Sequence, residues 1–109
     1  MAFDEALAAR VRAVLSNTQG LQEKRMFGGL AFLLNGNMCC GVHGRELIVR
    51  LDPERTKEAL QEQDVRVFDL TGRPMQGWVL VAPGGVETDD DLRSWTAMGV
   101  AFAGSLPTK

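Results

Sequence analysis

The sequence predicts a two-layer α+β domain in the order α-β(3)-α-β(2)-α, with one antiparallel five-stranded sheet and its helices on the core face. Three observations predict it. The dipeptides Asn35-Gly36 and Gly44-Arg45 divide the apolar stretch between Gly29 and Leu51 into three strands. Asn-Gly suits a type I′ turn, in which both central residues take positive φ, and a leading glycine suits type II′. Helical periodicity brackets the strands at both ends of the chain, and Asp52-Pro53 opens a further helix after the meander.

Residues 4 to 16 read as an amphipathic helix, because Phe3, Leu7, Val11, Val14 and Leu15 share a face that Asp4, Glu5, Arg10 and Arg12 largely avoid. Ser16 to Gly20 ends it. Leu21 to Phe27 alternates poorly and carries Glu23, Lys24 and Arg25, so it reads as an extended lead-in or a short edge strand. Gly28-Gly29 then allows a bend or a close backbone approach.

With two-residue loops at both turns, Leu33 falls opposite Met38, Ala31 opposite Cys40, Val42 opposite Leu47 and Cys40 opposite Val49. Ala31, Leu33, Met38, Cys40, Val42, Leu47, Val49 and Leu51 then form the core face. The other face takes Leu30, Phe32, Leu34, Asn37, Cys39, Gly41, Ile48 and Arg50. A short helix over 53 to 62, a strand Val65 to Leu70, a turn at Thr71-Gly72-Arg73-Pro74 and a strand Gln76 to Ala82 follow. Thr88 or Asp89 caps the last helix, where Asp89 to Asp91 suit the positive end of the dipole. Leu92, Trp95, Gly99 and Phe102 dock that helix through one stripe, and Leu106 to Lys109 is a tail.

A chain of 109 residues makes one domain, 1–109, able to bury roughly two-thirds of its unfolded surface without a disulfide or structural metal. No apolar run approaches the roughly 20 residues of a membrane span, and Asp4 and Glu5 stand where a signal peptide would carry bases. The expectation is a cytoplasmic protein with no membrane partner. A net charge of −2 from interspersed charges lacks the clustered basic excess of most nucleic-acid domains.

The stretch Arg25-Met26-Phe27-Gly28-Gly29, the Asn-Gly hairpin after it, the strand Gly77 to Pro83 and the segment Asp91-Leu92-Arg93-Ser94-Trp95 together resemble the N-terminal domain of the TfoX/Sxy family through nearly the whole chain. The resemblance implies a secretion-chaperone-like fold in the order read above. Members that regulate natural competence join this domain to a C-terminal helical domain. Here the chain stops at Lys109, so the expectation is the single domain without that second one. The resemblance carries no catalytic activity and no cofactor.

Cys39, Cys40 and His43 are the one soft-ligand cluster, but neighbours on a strand point to opposite faces, so neither a metal site nor convergent thiols are expected. A vicinal disulfide would be strained and out of place in a reducing cytoplasm. Gly28-Gly29 lacks the Lys-Ser/Thr of a phosphate loop; Trp78, Trp95 and Phe102 read as packing, and Asp89 to Asp91 as capping. The surface with most to offer is the outer sheet face, where Leu30, Phe32, Leu34 and Ile48 would form an apolar patch beside Arg50. The favoured expectation is a non-enzymatic regulatory domain that binds protein through that face, as a homodimer or with a regulatory partner. The alternatives are an accessory nucleic-acid binder using Lys24, Arg25, Arg50 and Arg66, and a small thiol enzyme using Cys39 and His43.

Overall fold

The computed structural model describes residues 3–26, 28–69 and 77–107. The elements run α1 (Glu5–Val14), β1 (Leu21–Met26), β2 (Gly29–Leu34), β3 (Asn37–His43), β4 (Glu46–Arg50), α2 (Pro53–Ala59), β5 (Val65–Val67), β6 (Trp78–Val81), a 3-10 turn (Pro83–Gly85) and α3 (Asp89–Gly104). The α+β class and the antiparallel sheet are as expected, but the sheet has six strands rather than five, in the order β1-β2-β3-β4-β6-β5. The additional strand is the segment from Leu21. It pairs along its full length with β2, from Leu21↔Leu34 to Met26↔Gly29. Four of its six residues are exposed, so no buried face imprints alternation on its sequence. Charged side chains suit such an edge, since they discourage pairing with another chain. The turn expected at residues 71–74 and Phe27 of the Arg25–Gly29 motif lie outside the described residues.

Each helix begins on a side-chain cap. Asp4 accepts from the N–H groups of Ala6 and Leu7, Asp52 from that of Glu54, and Thr88 from that of Asp91. Both tight turns form as read: Asn35 and Gly36 have φ of 52° and 86°, and Gly44 has φ of 57°. No helix among the described residues is long and apolar enough to cross a membrane.

The register departs from expectation between the turns. Leu33↔Met38, Val42↔Leu47 and Cys40↔Val49 pair as predicted, but Phe32 pairs with Cys40 and Ala31 with Gly41, leaving Cys39 as the extra residue of a β-bulge. One inserted residue reverses the face of all of β2 relative to the rest of β3. Leu30, Phe32 and Leu34 therefore join Cys40, Val42, Leu47 and Val49 beneath the helices, in a core with Leu7, Val11, Leu92 and Trp95. Ala31, Leu33 and Met38 move to the second face, with Ile48 and Leu80. Burial decides the outcome. The bulge hides Phe32, Leu30 and Leu34 where regular pairing would have hidden Ala31 and Leu33, and a bulky apolar side chain contributes about 1.5–3 kcal/mol when buried.

Helix α3 lies directly on this bulge. A Cβ at Gly99 would run into the Cys39 carbonyl oxygen, so glycine allows the helix backbone to touch the strand. Alanine there would gain about 1 kcal/mol of helix propensity, but a backbone carbonyl cannot move aside as a side chain can. We expect Gly99→Ala to lower the unfolding free energy by about 1–3 kcal/mol in urea titration; unchanged stability would mean that α3 does not rest on the bulge.

At the opposite margin, the Arg12 guanidinium grips Glu23 through two hydrogen bonds of 2.6 and 2.8 Å and ties α1 to the edge strand. That hydrogen bond holds the Glu23 carboxyl below the usual carboxylate range. A depressed folded pKa gives stability that is present above the ordinary glutamate value of about 4.3 and is lost as pH falls through the folded value. The stability difference between wild type and Glu23→Gln should therefore be measurable at pH 7 and absent at pH 2, by thermal melts at both.

Candidate interaction surface

The second sheet face is not left bare. Ala31, Met38, Ile48, Leu80 and Phe68 are buried on it, and Met26, Leu33 and Trp78 are half-buried around them. Phe68, just beyond β5, folds back so that its ring centroid lies 5.7 Å from that of Trp78. Gly41 contributes by having no side chain: the Leu30 carbonyl oxygen and the Met38 methyl group both crowd the place its Cβ would take. The patch expected on the outer face is thus corrected. Leu30, Phe32 and Leu34 are under the helices because of the bulge, and Ile48, on the predicted face, is fully enclosed.

Arg50 is the member of that predicted set that stays partly open. Its guanidinium carbon sits 5.1 Å from the Trp78 ring centroid and 5.4 Å from that of Phe102, so it is held between a ring of the sheet and a ring of α3. Among the described residues it has no hydrogen-bond or ion-pair partner. Stacking fixes the plane of the guanidinium and leaves its N–H edge available, the geometry that suits a carboxylate. Phe102 was expected in the docking stripe; it stands instead at the shoulder of α3, where it also lines a cleft of about 410 Å³ with Asp52, Arg55, Ala97, Met98, Ala101 and Ser105. Sequence reading missed this cleft, which only the approach of α2 to α3 creates.

The Arg25–Gly29 motif is structural in its described part. Arg25 stacks over Phe3 at 5.7 Å, Gly28 turns the chain at φ of 72°, and a Cβ at Gly29 would strike the Val42 carbonyl. Met26 is half-buried on the second face. These groups border a small hollow of about 220 Å³.

The four basic residues considered together do not gather. Lys24 and Arg25 are on β1 and Arg66 is on β5, the two edges of the sheet, which at about 4.8 Å per strand step lie roughly 24 Å apart. Arg66 is moreover engaged by Glu46 at 2.6 and 3.0 Å and by Asp69 at 3.4 Å. Nor do the thiols meet the imidazole. Cys39 is enclosed on the helix side, whereas His43, beyond core-facing Val42, belongs to the second face. The bulge does bring Cys39 and Cys40 together, against expectation, with their Sγ atoms 3.9 Å apart. Among the described residues no three His, Cys, Asp or Glu side chains cluster as metal ligands. Asp89 and Asp90 meet Arg10 and Arg93 at 3.5 and 3.6 Å.

The face assignment has a direct test. Phe32→Asp removes a buried ring worth about 3–5 kcal/mol and buries an unpaired carboxylate, so circular dichroism should show loss of the cooperative fold. Leu33→Asp, one residue away on the second face, should remain folded. The reverse result would restore the regular register.

The family model described as the TfoX N-terminal domain matches residues 13–103. No curated protein and no solved structure matches the chain.

Proposed function

Since the chain belongs to the TfoX N-terminal domain family, we propose that it is a non-enzymatic, cytoplasmic regulatory domain that works by binding protein, in the manner of the competence regulators this family resembles. The family match is the observation that carries the reading. The surface that best supports it is the corner formed by Leu33, Arg50 and Trp78 on the second sheet face, with Phe102 behind it. Arginine and tryptophan are the residue types that most often anchor interfaces, and arginine held rigidly by stacking loses little entropy when it meets a carboxylate. The partner is a second copy of the chain or a regulatory protein that offers an acidic side chain to Arg50.

Two folded variants test this. Leu33→Asp and Arg50→Glu each change the corner without touching the helix-facing core. Wild type should dimerise in size exclusion with light scattering, or retain a partner from its own cells in affinity capture, and both variants should lose that association at least tenfold while still unfolding cooperatively. A wild-type monomer that captures nothing beyond what the variants capture would sink the reading.

A further inference from the structure

The bulge creates a chemical group that a regular strand would not have. Alternation would send Cys39 and Cys40 to opposite faces, yet both side chains lie in the helix-facing core, both fully buried, with Sγ atoms 3.9 Å apart. These are the chain's only two cysteines, so each has one possible partner within the molecule. We propose that Cys39 and Cys40 are an oxidation site, a dithiol that hydrogen peroxide converts to a vicinal disulfide inside the bulge.

The chemistry balances without a further reagent. The Cys39 thiolate attacks one peroxide oxygen, the O–O bond breaks, and the chain carries a sulfenic acid while the other oxygen leaves as hydroxide and takes up the proton that the Cys39 thiol gave up, becoming water. Cys40 sulfur then attacks Cys39 sulfur, the S–O bond breaks, and the departing hydroxide takes the Cys40 proton as a second water. Two thiols lose two electrons and two protons, and one peroxide takes them up to become two waters.

The surroundings assign the two roles. A hydrogen bond from Cys40 stabilises the Cys39 thiolate and draws that thiol below its ordinary range, against the opposing effect of burial. The same bond, with desolvation added, pushes Cys40 well above its ordinary range, as befits the second reactant. In the reduced form Cys39 Sγ also lies 3.3 Å from the Phe32 carbonyl oxygen, where its S–H donates. Both sulfurs are shut off from solvent in the closed structure, so an oxidant reaches them through local opening of the bulge, and peroxide, close to water in size, needs a smaller opening than a bulky alkylating agent. Closure needs the sulfurs to approach to about 2.05 Å, which must turn the Cys39–Cys40 peptide. That peptide carries the carbonyl on which Gly99 rests, so oxidation acts on the seat of α3. A ring strained in this way is readily reduced by cellular dithiols, which makes the step reversible.

The test compares the folded chain with itself. Folded wild type and wild type unfolded in urea are exposed to the same hydrogen peroxide at neutral pH and followed by intact mass. The folded monomer should lose the mass of two hydrogens faster than the unfolded chain, and dithiothreitol should restore it. Cys39→Ser and Cys40→Ser should show no such loss. If the folded chain is unreactive under conditions that oxidise the unfolded chain, or if it yields oxygen adducts or linked dimers in place of the two-hydrogen loss, the pair is inert packing and the proposal is overturned.

Discussion

Two tight turns pin the ends of β3, one through positive φ at Asn35 and Gly36 and the other through Gly44, and the strand between them holds one residue more than β2 can pair. That residue is Cys39: regular pairing would also have kept both turns, and the bulge is the alternative that places Leu30, Phe32 and Leu34 under the helices. The consequence is global because side-chain direction has a period of two. Shifting the pairing by one residue exchanges the two faces of β2 as a whole. The rest of the molecule answers to that exchange: which apolar side chains meet α1 and α3, which are left to Phe68 and Trp78, and where two thiols end up.

Close contact between α3 and the bulge is the second half of the same constraint. A bulged strand protrudes, and a helix with ordinary side chains at the crossing would be held away from it. Gly99 removes that obstacle at the Cys39 carbonyl, while Leu92 and Trp95 on the same side of the helix fill the core further along. Past the crossing, Phe102 reaches the end of β4 and meets Arg50. The stacked arginine is thus a joint between the two layers, and among the described residues its side-chain neighbours there are rings rather than carboxylates.

The proposed function rests on a surface, the part of the molecule that the strand register rearranges most. The family relation is consistent with a regulatory role, and the Leu33–Arg50–Trp78 corner supplies residues of the right chemistry for contact. Candidate residues proposed from the primary structure fared unevenly, and the reason differs for each. Arg50 remained accessible because it ends its strand. Ile48 sat on the face assigned to it yet was covered, since alternation says which side a residue takes and nothing about what folds over that side. Leu30, Phe32 and Leu34 changed sides with the bulge.

Local chemistry was enough to determine the turns and the helix start at Asp52, and it narrowed the cap of the last helix to Thr88 or Asp89, because each is decided by residues within a few positions of one another; the α+β class and the family were legible from the order of elements and from motifs spread along the chain. The edge strand from Leu21 was hard to see, as its mostly exposed side chains carry no alternation and its pairing is made by backbone groups that every residue possesses. What only the tertiary structure decided was the register between the turns. Two pairings were open to the same residues, and the choice depended on how much apolar surface α1 and α3 would hide on each, a quantity that does not exist until the helices are in place.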